Sequence, residues 1–283
     1  MTDMRPRLGI RSIKMPPSAA TFGLIVIICY ALVAVFAPVL APHLERSIVG
    51  APFEPWSSRH LLGTDNLGRD MLSRLIFGAR NTLGIAFAAT IVAFVIGIAL
   101  GFAAATLQGY VDQGISRIVD VLMSIPKLIF SLMLLTIFGN SLTNLVLIIA
   151  VLDSTRVYRL ARAVAYGIVT MDYVEAARLR GEGLWWIVRR EILPNATPPL
   201  AAEFGMRFCF VFLTISALSF LGLGIQPPMA DWGSMVRESA TLINFGDYRP
   251  LLPAAAIGLL AIAVNFVIDW IQETSSGLKD QHQ

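Results

Sequence analysis

Long apolar runs separated by short charged segments are the feature that most restricts how this chain can fold. A run of about 17 residues or more can cross the hydrocarbon core of a bilayer as an α-helix. Such runs lie at 21–41, 82–107, 121–138, 142–158, 200–222 and 251–271. Hydrophobic residues make up 56% of the chain and charged residues 14%, whereas a soluble domain carries about 25% charged residues. The sequence therefore predicts an all-α membrane protein with six transmembrane helices.

Basic residues indicate on which side of the membrane the loops lie. Arg5, Arg7, Arg11 and Lys14 precede the first apolar run, and arginines are frequent between 156 and 190. Because lysine and arginine are enriched in cytoplasmic segments, both termini are predicted to be cytoplasmic. The first run has no clear small-residue cleavage site, which favours an uncleaved helix over a signal peptide.

These assignments divide the chain into five parts. In order, they are a cytoplasmic N-terminus at 1–20, a first transmembrane helix at 21–41, an outer loop at 42–80, a membrane domain of five helices at 81–272 and a cytoplasmic tail at 273–283. The membrane domain holds the densest charged stretch, a polar loop at 172–194. The length leaves no room for a separate nucleotide-binding domain.

Composition argues against several classes of function. The GxxxxGK[ST] pattern of a phosphate-binding loop is absent, so this chain is not expected to hydrolyse ATP. The net charge is only +3, with basic residues clustered in loops that flank the membrane, which argues against nucleic-acid binding. Cys29 and Cys209 lie in apolar stretches and are too few for a disulfide framework or a metal site. We expect no cofactor bound to this chain.

The polar loop at 172–194 reads as a short helix, a stop and a return into the membrane. Asp172 is predicted to cap the helix, with Glu175 completing a capping box. Gly181 and Gly183 are predicted to end it. Two small alanines between Glu175 and the glycines would let this face lie flat in a groove of another protein.

Three prolines follow the short helix, at positions 194, 198 and 199. Proline removes a backbone donor and clashes with the preceding turn of a helix. We therefore expect no continuous helix from the loop into the membrane, so that the short helix moves as a hinged unit. An ordinary charged loop between two spans is the simpler alternative.

The spacing of Glu175-Ala176-Ala177, Gly181 and Leu193-Pro194 resembles the EAA signature of bacterial ABC importer permeases. The resemblance implies a cytoplasmic coupling loop in which Glu175, Ala176, Ala177, Gly181, Leu193 and Pro194 dock on an ATPase subunit. One position departs from the pattern, since Glu191 stands where many members carry an apolar residue.

Two further stretches narrow the resemblance. Leu62-Gly63-Thr64-Asp65 and Leu67-Gly68-Arg69-Asp70 form a tandem LGxD pair, and LSFLGLGIQPPMADWG follows at 218–233. Both resemble the dipeptide, oligopeptide and nickel permease group, specifically the C-type subunit of the permease pair. The glycines allow tight turns and the aspartates can accept backbone N–H bonds, which predicts a rigid loop. A calcium site at Asp65, Asn66 and Asp70 is the sharper alternative, although the spacing does not fit an EF-hand.

The resemblance implies the rest of an assembly. It predicts a type I ABC importer permease in the bacterial inner membrane, where the loop at 42–80 is periplasmic. The expected partners are a homologous second permease, two cytoplasmic ATP-binding subunits and an extracytoplasmic binding protein. Small peptides are the expected cargo, with nickel, opines, glutathione and oligosaccharides as alternatives. The C-terminal helix departs from the family, because Val267-Ile268-Asp269-Trp270 replaces a usual Gly-Asp pair.

Several polar residues inside the apolar runs have a structural and a functional interpretation. Asp153 and Arg156 are three residues apart and are predicted to pair, a proton-relay carboxylate being the alternative. Glu203 and Arg207 are predicted to pair in the same way, contact with the ATPase being the alternative. Asn265 is expected to hydrogen-bond across helices rather than to contact substrate. Gly97 and Gly101 form a GxxxG motif that would admit another helix closely.

Two other classes of function have weaker support in the sequence. A secondary transporter needs a coupling-ion site at mid-membrane, for which Asp153, Asn265 and Asp269 are the candidates. An intramembrane hydrolase needs a histidine inside a span, whereas all three histidines (His43, His60 and His282) lie outside the predicted spans. A GxSxG elbow is also missing. The sequence favours the importer subunit over both.

Overall fold

The computed structural model describes residues 17–276, and helices form most of this part of the chain, with two isolated β-bridges in its loops. The predicted all-α class is confirmed. The α-helices are α1 (Ser18–Val35), α2 (Ala37–Leu40), α3 (Met71–Leu107), α4 (Gly109–Ser124), α5 (Lys127–Phe138), α6 (Leu142–Val169), α7 (Asp172–Leu179), α8 (Leu184–Ile187), α9 (Leu193–Phe220), α10 (Trp232–Ser239) and α11 (Leu251–Ser276). A π-helical turn at Val188–Ile192 joins α8 to α9, and a 3₁₀ segment at Ala240–Phe245 follows α10. Most of the predicted termini, 1–20 and 273–283, lies outside the described residues.

Four stretches of the described chain are long and apolar enough to cross a membrane: α1, α3, the continuous stretch Leu184–Phe220 and α11. Helices α4 and α5 add a fifth if they count as one span, although they meet at an angle of 92°. The sequence predicted six spans. By length and apolarity alone, four or five stretches of the described chain qualify. The difference lies in α6, whose apolar stretch carries Asp153, Arg156 and Arg159.

Helices α3 and α6 pack closely along the GxxxG motif of α3. A Cβ atom at Gly97 would lie 2.6 Å from the Val157 Cβ, and one at Gly101 would lie 2.8 Å from the Ala161 Cβ. These separations are much shorter than van der Waals contact, so only glycine permits the approach. The predicted close contact is confirmed, and its partner is α6.

The boundaries of two long helices differ from the sequence prediction. Helix α3 begins at Met71 rather than at residue 82, because the Asp70 carboxylate caps it by accepting the backbone N–H of Ser73 at 2.8 Å. Helix α6 continues to Val169 rather than ending near Tyr158. The first outer loop therefore ends at Asp70 and is shorter than predicted.

The third predicted span, 121–138, is not one straight helix. Ile125 is extended (φ −97°, ψ 134°) between α4 and α5, and Pro126 stands at the N-cap of α5. A residue before proline is disfavoured in the helical region, which accounts for the break. The predicted place of Pro126 near a helix start is confirmed, whereas the predicted stretch is a bent pair of helices rather than one straight helix.

The predicted break at the prolines of the coupling loop is also wrong. Pro194 follows the π-helical turn at Val188–Ile192, and Pro198 and Pro199 lie inside α9. Prolines are tolerated in membrane helices where local π-helical adjustments and side chains satisfy the backbone groups that they free. Nearby side chains add hydrogen bonds to the same turns. The Asn195 amide donates to the Glu191 carbonyl at 2.6 Å, and the Thr197 hydroxyl donates to the Leu193 carbonyl at 2.7 Å. The helix therefore runs on from the loop to Phe220.

The tandem LGxD pair forms a rigid loop, as predicted. Gly63 and Gly68 have φ of +73° and +75°, and the Asp65 carboxylate accepts the backbone N–H groups of Leu67 and Arg69. The other Asp65 oxygen accepts from Arg69 and Arg74 at 2.6 and 2.5 Å. Asp65 is thus committed to arginines, which leaves the calcium alternative without its main ligand.

The two loops that are predicted to lie outside, here called the outer loops, pack on each other. Arg249, ahead of α11, donates to the backbone carbonyls of Glu54 and Thr64 at 3.0 and 2.9 Å. The second loop contains α10, which the sequence prediction left as loop. Trp232 of this helix is buried and approaches Gly78 so closely that a Cβ there would lie 2.6 Å from its Cδ1. The outer ends of α3, α9 and α11 are held by this layer.

Replacing Gly97 by alanine is expected to destabilise the folded chain by about 1–3 kcal/mol, because the added methyl pushes α3 away from Val157 and the Ser154 carbonyl. The matched control is Gly84→Ala on the same helix, where no atom lies within 4 Å of the added Cβ. The measurement is the fraction of monodisperse protein in detergent after heating. Equal melting curves for the two variants would contradict the proposed packing.

Candidate coupling surface

The short helix of the polar loop exists, but it starts differently from the prediction. Helix α7 runs over Asp172–Leu179, and Met171 occupies the N-cap with no side-chain cap bond. Asp172 is already helical, so the predicted capping box with Glu175 is wrong. Both carboxylates lie in the first turn, where the positive end of the helix dipole favours negative charge.

The end of α7 is set by Gly181. This glycine has φ +83°, its N–H donates to the Arg178 carbonyl at 2.9 Å, and the Glu182 N–H donates to the Ala177 carbonyl at 3.2 Å. These two bonds form a Schellman motif, which needs a left-handed residue at this position. The predicted stop at Gly181 is confirmed. Gly183 has φ −73° and instead stands at the N-cap of α8.

The six residues of the predicted site do not share one face. Glu175, Ala176, Gly181, Leu193 and Pro194 are exposed, whereas Ala177 is fully buried within this chain. The prediction that both alanines present a flat face to a partner therefore holds for only one of them. Ala176 is the alanine that a second protein can reach.

The inner side of α7 is fixed to the helix bundle. Val174 is fully buried in an apolar cluster supplied by the inner ends of α3, α6 and α9 and by the segment between α7 and α9. The other members of this cluster are Phe102, Ala105, Ala161, Ala165, Ile168, Val169, Ile187, Ile192, Ala196 and Leu200. Because buried side chains pack at crystal-like density, α7 and these helix ends form one closely packed unit.

The outer side of α7 also carries an exposed apolar residue, which lies outside the predicted set of site residues. Leu179 is 83% exposed and lies four positions after Glu175, hence on the same helix face. Trp185 of α8, six residues further along the chain, is 75% exposed. The i, i+4 spacing was the signal that could have placed Leu179 with Glu175 and Ala176.

Four exposed arginines accompany these side chains: Arg178, Arg180, Arg189 and Arg190. Apolar side chains with a charged rim are typical of protein–protein interfaces. We call the exposed residues Glu175, Ala176, Leu179, Gly181 and Trp185, together with these arginines, the coupling surface.

The charged pairs inside the bundle were predicted in part. Glu203 and Arg207 of α9 pair as predicted, with Oε1 and Nε 2.6 Å apart. Asp153 pairs with Lys127 at 2.6 Å rather than with Arg156, so that prediction is wrong. The Asn265 amide donates within its own helix to the Ala261 carbonyl at 2.8 Å and reaches across to the Cys209 sulfur at 3.8 Å.

Replacing Gly181 by valine is expected to fray the C-terminal turn of α7, because a β-branched residue is strained at φ +83° by about 1 kcal/mol or more. Hydrogen exchange of the amides at 178–182 should accelerate accordingly. Gly183→Ala is the matched control, since that residue has an ordinary φ and open space around it. Unchanged exchange in Gly181→Val would show that the left-handed residue does not hold the helix end.

Comparisons with known proteins agree on the kind of protein to which this chain is similar. A family model for the inner membrane component of binding-protein-dependent transport systems matches residues 93–276. The glutathione transport system permease protein of Pectobacterium atrosepticum is 35% identical over 217 residues, which cover 77% of this chain and 72% of that protein. The di/tripeptide transport system permease protein of Pseudomonas aeruginosa is 34% identical over 259 residues, 89% and 84% of the two chains.

A third relative and two solved structures are also similar to this chain. The probable D,D-dipeptide transport system permease protein of Escherichia coli is 33% identical and covers 92% of this chain and 88% of its own. The fold is similar to an amino acid ABC transporter solved with histidines (TM-score 0.53, 20% identity, 72% of this chain and 94% of that one) and to the MetNI methionine ABC transporter in an inward-facing form (TM-score 0.52, 20% identity, 71% and 97%). On the strength of the family match and of relatives over 30% identical along most of the chain, this protein belongs to the binding-protein-dependent inner membrane permeases of ABC importers.

Proposed function

We propose that this chain forms half of the translocation path of an ATP-driven importer for small peptides, and that it couples to cytoplasmic ATPases through the coupling surface. The observation that carries the proposal is that one face of α7 is buried in this chain and the other is exposed. Val174 and Ala177 anchor the helix inside the bundle, while Glu175, Ala176 and Leu179 remain exposed. A helix held in this way passes a displacement from a partner to the membrane helices.

The energy source lies in the proposed partners. Two cytoplasmic ATP-binding subunits would bind ATP, so this chain needs no cofactor and takes no catalytic role. Their closure would move α7 together with the inner ends of α6 and α9, to which the apolar cluster ties it. The bundle would then alternate between inward-open and outward-open arrangements.

The proposed cargo follows from the relatives. These relatives are named as transporters of di/tripeptides, D,D-dipeptides and glutathione, which is itself a tripeptide. A short peptide is the chemistry that these three share. Glutathione is therefore the second candidate within the same class of importer.

We propose the topology and the remaining partners on the same basis. The chain would cross the membrane six times as a type I permease with both termini in the cytoplasm, α6 and the bent α4–α5 pair supplying the two spans that apolarity alone does not single out. A homologous second permease would complete the path, and a binding protein would deliver solute to the outer layer. The Arg249 contacts support this role, since they make that layer one connected surface.

Replacing Glu175 by lysine is expected to weaken coupling strongly, because it reverses the charge of an exposed side chain on a surface that already carries four arginines. In the assembled transporter, reconstituted in liposomes, ATP-dependent peptide uptake should fall at least about tenfold, as expected for loss of one charge-assisted contact. Uptake and ATP hydrolysis are measured together in the presence of the binding protein.

The matched control for this variant is Arg117→Glu, a charge reversal of an exposed side chain on α4. It should leave the hydrolysis rate close to that of the original protein. If Glu175→Lys transports peptide and couples hydrolysis normally, the role assigned to the coupling surface is wrong. Peptide uptake that persists in vesicles without the ATPases would instead favour a secondary transporter.

A further inference from the structure

A group of ionisable side chains lies deep inside the bundle, away from the coupling surface. The Lys127 ammonium is 2.6 Å from the Asp153 carboxylate, which is 1% exposed. The guanidinium groups of Arg207 and Arg156 are near enough to repel the Lys127 charge, and Arg207 is itself paired with Glu203. Three cations therefore face two carboxylates, which leaves a net positive charge.

The depth of this group follows from the geometry of three helices. Lys127 is the first residue of α5 and Asp153 the twelfth of α6, so each lies about 17 Å from the outer end of its helix at 1.5 Å per residue. Arg207 lies about 20 Å from the outer end of α9 by the same rise. Half of a hydrocarbon core is about 15 Å thick. With the outer helix ends placed at the membrane boundary, these charges lie close to mid-membrane.

The surroundings of Lys127 show what its charge can face. Its side chain is 27% exposed, whereas its partner Asp153 is buried. An ammonium group directed into lipid at this depth costs several kcal/mol, so the exposed part of Lys127 must face water or polar groups. In a subunit that forms half of a path, the water-filled region at mid-membrane is the path itself.

The backbone at this point is also unusual for a membrane helix. The chain bends by 92° between α4 and α5, and Pro126 is the N-cap directly before Lys127. Irregular backbone at membrane depth is tolerated where it lines an aqueous cavity or is covered by protein. A broken helix whose N-terminal end points at an anionic group of the solute is a recurrent solution in transport proteins. Here the N-terminus of α5 and the Lys127 ammonium place positive charge at the same spot.

Together these observations carry an inference that rests on the proposed importer function. We propose that Lys127, positioned by Asp153, binds the free carboxylate of the solute as it passes mid-membrane. The solute class is a small molecule with a terminal carboxylate, such as a short peptide with an unmodified C-terminus. Asp153 holds the ammonium in place and does not touch the solute.

The test uses the assembled transporter in liposomes, with radiolabelled alanyl-alanine as the solute and the binding protein at saturation. Lys127→Gln alone leaves Asp153 as a buried unpaired charge, so the informative variant is the pair Lys127→Gln with Asp153→Asn. We expect uptake per ATP hydrolysed to fall about tenfold in this double variant, as expected for loss of a charge-assisted bond to the solute. The single variant Lys127→Arg, which keeps Asp153, should retain most of the uptake per ATP hydrolysed. The melting temperature and the assembly of every variant should stay near those of the original protein.

Arg159→Gln is the matched control. Arg159 lies on α6, as Asp153 does, and the substitution removes a cation from an exposed pair with Asp120 of α4. It should leave uptake per ATP unchanged. Uptake by the double variant within twofold of the original protein would overturn the proposal. Loss of the second permease from the purified double variant would also overturn it, because Lys127 would then bind a subunit rather than solute. Failure of the importer function itself is seen separately, as absence of ATP-dependent uptake by the unmodified transporter.

Discussion

The close contact of α3 with α6 is the constraint on which the rest of the structure depends. Lipid gives two apolar helices no hydrophobic reason to associate, so their attraction comes from van der Waals packing at short distance. Gly97 and Gly101 supply that distance, because the side chains and backbone of α6 occupy the space where their Cβ atoms would be. Helix α6 then extends past α4 to Val169, immediately before α7. The packing of α3 against α6 thereby fixes the position of the end of α6 from which α7 and the coupling surface follow.

The two ends of the bundle are organised differently. At the outer end, buried polar contacts connect the loops: Arg69 and Arg74 share Asp65 and Glu238, and Arg249 joins the first outer loop to the second. At the inner end, α7 is held mainly by apolar packing through Val174. A directional polar network suits a surface that must keep its shape when another protein delivers solute. An apolar cluster suits an element that must move with the helices beneath it.

Local sequence signals predicted the elements that depend on nearby residues. Gly181 ends α7 because its left-handed conformation is a property of a few successive residues, and the tandem LGxD pair forms its turns for the same reason. The GxxxG motif predicted a close helix contact, although the sequence could not name α6 as the partner. The spacing of the EAA signature singled out Glu175 and Ala176, which are exposed in the structure, but not Leu179.

Features set by distant residues were not predictable in this way. Asp153 pairs with Lys127, which is 26 positions away in the sequence, because the bend at Pro126 brings the start of α5 to the middle of α6. The burial of Ala177 depends on the helices that lie behind α7. The prolines of α9 do not break the helix because a π-helical turn precedes Pro194 and nearby side chains hydrogen-bond to the carbonyls of Glu191 and Leu193. In each case tertiary contacts override a local rule.

The central claim is that one face of α7 docks on an ATPase while the other is anchored in this chain. Site-directed cross-linking tests it most directly, with single cysteines at 176 or 177 in a background where Cys29 and Cys209 are replaced, using the co-expressed assembly in membranes. The account predicts efficient cross-links from the exposed Ala176→Cys to the ATP-binding subunit and none from the buried Ala177→Cys. Cross-links of equal yield from both positions, or none from Ala176→Cys in an assembly that copurifies with the ATPases, would contradict it.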